Sequence, residues 1–105
     1  MREVRLLPPV FDDIVQATRW YDNEGSEELG DRFIGVFFSY LAHIQQRGGA
    51  YRVVYKDFRR VILKPFPYII YYRNHGDWAV VSLVIHAARS PRLWKKLLRE
   101  RISDR

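Results

Sequence analysis

The sequence predicts an α+β fold: a short N-terminal strand, an antiparallel helical hairpin, a three-strand antiparallel sheet and a short C-terminal helix. Three observations carry this. Leu29, Phe33, Val36, Phe37, Tyr40 and Ile44 repeat at helical spacing over four turns. After residue 50 the period changes, and β-branched and aromatic residues gather in short runs separated by turn residues. Pro91 then opens a basic segment that reads as a helix through about Ile102.

Residues 3–7 (Glu-Val-Arg-Leu-Leu) suit a short strand, and Pro8-Pro9 ends it and opens a helix, because proline is tolerated in a first turn. Asp12 and Asp13 are expected near that helix's N-terminus, where its dipole favours negative charge. Val10, Ile14, Ala17 and Tyr21 share one stripe, with Trp20 beside them, and Trp20, Phe33, Phe37 and Tyr40 are expected in the core. Asp22–Ser26 with Gly25 is a turn, Ser26 is placed to cap the second helix, and Gly48-Gly49 ends it.

Val53-Val54-Tyr55 is β-prone but short. Phe58–Lys64, Tyr68–Arg73 and Trp78–His86 are the three strands, with turns at 64–67 and at Asn74-His75-Gly76-Asp77. Strict alternation along the last strand puts Ala79, Val81, Leu83 and Ile85 on one face, expected against the helical hairpin. Trp78, Val80, Ser82, Val84 and His86 then fall on the other. That second face is expected to stay partly open, lined by basic and aromatic side chains. Tyr68, Tyr71 and Tyr72 divide between the two faces.

The chain of 105 residues is expected to be one domain spanning 1–105. It has no cysteine, which removes disulfides, thiolate chemistry and cysteine zinc sites. No His/Asp/Glu spacing suggests a metal site, and no cofactor motif is present. No apolar run reaches membrane-spanning length, and the N-terminal residues lack a signal-peptide pattern, so a cytoplasmic protein is expected. Charge is uneven. Residues 1–47 carry five arginines against eight acids, whereas residues 48–105 carry thirteen Lys/Arg against four acids. A second half this basic suits an anionic partner: nucleic acid, a ribosome or an acidic protein segment.

Three segments resemble the RelE/ParE superfamily of toxins from type II toxin–antitoxin modules (plasmid stabilisation proteins). They are Asp13-Ile14, Ala17, Trp20-Tyr21, Gly30 and Phe33; then Arg59-Arg60, Leu63-Lys64, Phe66-Pro67-Tyr68 and Tyr71-Tyr72-Arg73; then His86, Arg89, Pro91 and Trp94. The resemblance implies a RelE/ParE-like toxin fold in a bacterial protein encoded beside a cognate antitoxin, with a heterotetramer as an allowed assembly. It implies one of two targets: DNA gyrase, as in ParE-like members, or messenger RNA in the ribosome, as in RelE-like members.

Cleavage through a 2′-hydroxyl needs a proton acceptor, a proton donor and cations around the developing charge. His86 and Arg89 are the candidate catalytic pair, since imidazole titrates near neutrality and guanidinium can hold a phosphate by two hydrogen bonds. Arg60, Lys64, Arg73, Trp94, Lys95 and Lys96 are candidate target- or phosphate-binding residues. A RelE-type nuclease is expected to show a cation in strand 68–72, and Tyr-Ile-Ile-Tyr-Tyr has none before Arg73. The ParE-like branch, acting by binding, is therefore favoured. The alternatives are a ribosome-dependent endoribonuclease and a non-toxic nucleic-acid-binding module.

Overall fold

Most turns of the chain follow from the residues already noted, and the Lys56-Asp57 turn between two of the strands is an addition. A computed structural model describes residues 1–102. Strand β1 (Glu3–Leu6) runs directly into helix α1 (Pro8–Glu24), with Pro8 and Pro9 in the first turn. Helix α2 (Glu27–Arg47) starts at Ser26, whose hydroxyl accepts the Leu29 N–H at 3.2 Å. Gly30 lets the two helices approach closely, because a β-carbon there would overlap the Asp22 carboxylate. Strands β2 (Val53–Tyr55), β3 (Phe58–Ile62), β4 (Tyr68–His75) and β5 (Trp78–His86) follow, and helix α3 (Pro91–Ile102) ends the described chain. The β4–β5 loop is only Gly76-Asp77, with Gly76 at φ +59°, a conformation glycine adopts without steric cost.

The class and order of elements are as expected, and β3, β4 and β5 form the expected antiparallel meander. The sheet is wider than the sequence indicated. It has five strands in the order β1-β5-β4-β3-β2, and β1 lies parallel to β5. One layer of core sits between this sheet and the α1–α2 hairpin, where Tyr21, Phe33, Phe66 and Tyr68 pack with ring centroids 4.9–6.0 Å apart.

Three expectations about the faces need correction. The alternation along β5 breaks: Tyr71 pairs with Leu83 but Tyr72 with Val81, so Ser82 is an extra residue in a bulge. Ala79 and Val81 face the hairpin, but beyond the bulge Val84 takes over there, and Leu83 and Ile85 move to the opposite side. That opposite side is not open along its length. Trp94 and Leu98 of α3 cover Phe58, Ile69, Tyr71, Leu83 and Ile85, making a second core layer. Finally, Trp20 is 55% exposed, because the helical stripe that reaches the sheet is Val10, Ala17 and Tyr21. Tyr40 is half-buried against that core.

Asp13 lies beyond the first turn of α1 and acts on other elements instead of the helix dipole. Its carboxylate accepts two hydrogen bonds from the Arg101 guanidinium, at 2.6 and 2.9 Å, and one from the Val84 N–H at 3.0 Å. Arg101 also donates to the Ser82 carbonyl at 3.1 Å. A pair on two opposite helices thus closes over the bulge.

The loop after α2 is fastened to the sheet by side chains. The Tyr72 hydroxyl donates to the Gly48 carbonyl, and Arg59 donates to the Gly49 and Tyr51 carbonyls at 3.0 and 2.6 Å. Burial pushes the Tyr72 hydroxyl up to about 12. A folded value above the unfolded one means that this contribution to stability is whole below about pH 10 and is lost as pH rises through about 12. Burial raises Tyr21, Tyr51, Tyr68 and Tyr71 in the same direction. Tyr72→Phe is therefore expected to lower stability at neutral pH by about 1 kcal/mol, and to lose stability less steeply than the parent above about pH 10. Urea unfolding midpoints of both proteins across that range measure the two effects.

Candidate functional site

The residues that could meet a partner lie on several surfaces. The first is α3, whose composition makes it two-sided. Trp94 and Leu98 are buried, and Leu93, Leu97 and Ile102 half-buried, on the sheet side. Arg92, Lys95, Lys96 and Arg99 stand at spacings of three and four, which brings them onto one stripe of the other side. Arg92, Lys96 and Arg99 are exposed. Lys95 is half-buried, its ammonium 5.4 Å from the rings of both Tyr55 and Trp94. Lys96 and Glu100 approach to 4.0 Å as an exposed i,i+4 pair, a contact of little energetic weight.

The footing of this helix is aromatic. Trp94 stacks on Tyr71 at 4.6 Å and meets Tyr55 edge-on at 5.9 Å, leaving it 8% exposed. Its ring therefore lies in the second core layer, holding the cationic stripe at a fixed distance from the sheet. The Tyr55 hydroxyl accepts a hydrogen bond from Arg99 at 3.1 Å. That bond, with the nearby Lys56 and Lys95 charges, lowers the Tyr55 hydroxyl from its ordinary value.

The second surface is a cleft of about 420 Å³ beside the end of β5, walled by Trp20 of α1 and by Leu93 and Leu97 of α3. His86 and Arg89 both line it, so the sequence pair is brought together. His86 Nδ1 accepts the Ala88 N–H at 3.0 Å, and its ring meets Tyr68 edge-on at 5.2 Å. The neutral imidazole consequently carries its proton on Nε2. Arg89 is exposed, and its backbone N–H donates to the His86 carbonyl at 3.1 Å. The other charged groups of the cleft, Asp13 and Arg101, are bound to each other. The arrangement offers contacts for a bound chain more readily than a relay for protons.

Of the remaining candidates, Arg60 and Lys64 line one open cleft together with Arg52, whereas Arg73 lies apart from them. Arg60 is exposed on β3 opposite Tyr71, and Lys64 is exposed in the turn before β4. Arg73 is drawn into the fold: its guanidinium lies 5.5 Å from the Phe58 ring and 3.8 Å from the Asp57 carboxylate. Among the described residues no group of three or more His, Cys, Asp or Glu side chains could hold a metal, and no helix is long and apolar enough to cross a membrane.

The structure adds residues that were not singled out. Arg92 completes the α3 stripe at its N-terminal end, which the 3.6-residue period could have revealed. A third surface lies where α3 does not reach. There Arg5 sits 5.9 Å over the Trp78 ring, beside His75 and Val80, around a cleft of about 340 Å³. Nothing in the sequence pointed to it, because it depends on β1 lying beside β5.

No family model matches the chain. Two curated relatives, both named Toxin ParE2 and from the CDC 1551 and H37Rv strains of Mycobacterium tuberculosis, are each 26% identical over 91 residues, covering 86% of this chain and of the relative. Among solved structures, the chromosomal ParDE toxin–antitoxin system from P. aeruginosa contains a chain of the same fold. Its TM-score is 0.75 at 13% identity, over 82% of this chain and 96% of that one. Sequence and fold thus bear out the resemblance drawn above, on its ParE-like side.

The hydrogen bond from Arg99 lowers Tyr55 while burial raises Tyr21, Tyr51, Tyr68, Tyr71 and Tyr72, so Tyr55 is expected to ionise before those five as a first step on raising the pH. Arg99→Met is expected to move that first step back towards the ordinary tyrosine value of about 10. A site-resolved NMR titration of the tyrosine rings measures it.

Proposed function

We propose that this chain, ParE-like in sequence and fold, is the toxin component of a type II toxin–antitoxin module. In this reading residues 1–105 are one toxin domain that acts in the cytoplasm and is neutralised by a cognate antitoxin. It inhibits growth by binding an essential target such as DNA gyrase. The cationic stripe of α3 is the working surface, with Lys95 and Lys96 at its centre and Arg92 and Arg99 at its ends.

One observation carries this reading. The stripe rests on a helix anchored by the stacked Trp94–Tyr71 pair, so four cations are presented on a firm base. Clustered cations of one sign steer an anionic partner and raise its rate of encounter. The similarity to ParE2 toxins supports the toxin role. The posture of His86 supports binding over catalysis, since one of its two nitrogens is already taken by a backbone N–H.

Induced expression of variants in a bacterial host tests it. Charge reversal at two exposed positions, Arg92→Glu with Lys96→Glu, is expected to abolish growth inhibition, whereas His86→Ala leaves most of it. Gyrase supercoiling and ribosomal messenger cleavage are assayed in parallel. Loss of supercoiling on induction supports the gyrase target. Cleavage that disappears in His86→Ala or Arg89→Ala would overturn the binding mechanism in favour of the endoribonuclease.

A further inference from the structure

Cations from two distant parts of the chain gather around the Tyr55 hydroxyl. Arg99 of α3 donates to it at 3.1 Å. The ammonium groups of Lys95, also of α3, and of Lys56, in the β2–β3 turn, lie 5.4 and 5.6 Å from its ring centre. The neighbouring carboxylates are turned elsewhere: Asp57 is 3.8 Å from Arg73, and Glu100 is 4.0 Å from Lys96. Neither Lys56 nor Lys95 forms an ion pair with a described residue.

The ring itself is fixed and its segment is open. It meets Trp94 edge-on at 5.9 Å and lies nearly parallel to Phe58 at 6.4 Å. Lys56 has φ +51°, a left-handed conformation that glycine fills more easily in such a turn. A lysine kept there points to a use for its side chain. β2 is the outer strand of the sheet, and Arg52, Val53 and Lys56 around Tyr55 are exposed, which leaves this stretch accessible to a modifying enzyme.

These contacts favour the phenolate. They lower the Tyr55 hydroxyl, whereas burial raises Tyr21, Tyr51, Tyr68, Tyr71 and Tyr72. Deprotonation makes a hydroxyl a better nucleophile. The cluster also specifies the charge of the group that the oxygen would carry. A neutral acyl group would leave the cations facing one another with nothing gained. A phosphoryl group brings roughly two negative charges and three acceptor oxygens, one for each cation.

We propose that Tyr55 is a phosphorylation site and that Lys56, Lys95 and Arg99 clamp the phosphate. In the transfer the phenolic oxygen bonds to the γ-phosphorus of a nucleoside triphosphate. The bond from that phosphorus to the bridging oxygen breaks, the nucleoside diphosphate leaves, and the phenolic proton passes to a base of the transferring kinase. The clamp draws Lys95 and Arg99 away from the α3 stripe, so the modification switches the binding surface off. The switch rests on the stripe being the working surface; the acceptor and the clamp do not.

Three measurements on the full chain test this. A fluorophosphonate is a phosphorus electrophile that needs no enzyme: the phenolic oxygen displaces fluoride. It should label Tyr55 before any other tyrosine, as located by peptide mass mapping, and label it more slowly in Arg99→Met. Labelling that starts elsewhere, or an unchanged rate in Arg99→Met, would overturn the acceptor. With phosphotyrosine encoded at position 55, the phosphorus NMR signal should show the second ionisation below about 5.5 instead of at the ordinary value of about 6. Lys56→Gly, which suits the turn, should move it back up. An ordinary value in the phosphorylated chain, or no response to Lys56→Gly, would overturn the clamp. In the induced-expression assay the phosphorylated chain should lose growth inhibition while Tyr55→Phe keeps it. Full inhibition by the phosphorylated chain, or loss in Tyr55→Phe as well, would overturn the switch. The first two readouts do not involve toxicity, so they remain decisive even if charge reversal at Arg92 and Lys96 leaves growth inhibition intact.

Discussion

The Asp13–Arg101 pair is the interaction on which the arrangement of layers depends. It joins a helix from the inner layer to one from the outer layer, and it does so at the place where β1 stops covering β5. The two side chains are 13% and 14% exposed, so both have given up most of their water. Desolvation of this kind is offset only when the geometry is good and the remaining hydrogen-bonding positions are filled. Here the guanidinium meets the carboxylate through two nitrogens, and each partner also holds one backbone group of β5, Val84 N–H or Ser82 C=O. The pair thereby satisfies a strand edge that would otherwise lie buried between two helices without partners.

The bulge at Ser82 and this pair explain each other. One extra residue turns the far half of β5 over, which gives Leu83 and Ile85 to α3 and Val84 to the hairpin. Without that inversion α3 would find Val84 and His86 in place of Leu83 and Ile85 and have less apolar surface to cover. With it, both faces of the sheet have their own core, and the cations of the second half divide. Arg59, Arg73 and Arg101 are taken up by the fold, and Arg92, Lys96 and Arg99 remain on the outside.

Much of this was legible in the sequence. The long apolar stripe of α2, its Ser26 cap, the proline starts of α1 and α3 and the strands of the meander are local signals, and each was realised within a residue or two. What escaped is non-local. Four residues of β1 carry no information about which strand they will join. The run Ala79–Ile85 is apolar on both sides of the bulge, so period-two alternation continues through it unmarked except by Ser82. Arg101 looked like one more charge of a basic helix, and Asp13 like a helix-dipole residue, because nothing in the sequence states that they meet across the sheet. For the site, the α3 cations and the closeness of His86 to Arg89 were readable. So was the role of Trp94 in locking the terminal helix to the sheet. The partners of Arg73 were not, since they depend on how the β2–β3 hairpin comes to rest.

A double-mutant cycle with Asp13→Ala and Arg101→Met, read by urea unfolding, tests the role of the pair most directly. Coupling of about 1–3 kcal/mol between the two positions is the predicted result, with the Val84 amide exchanging faster in Asp13→Ala. Losses that simply add, within about 0.5 kcal/mol, would contradict it and leave α3 held by its apolar contacts alone.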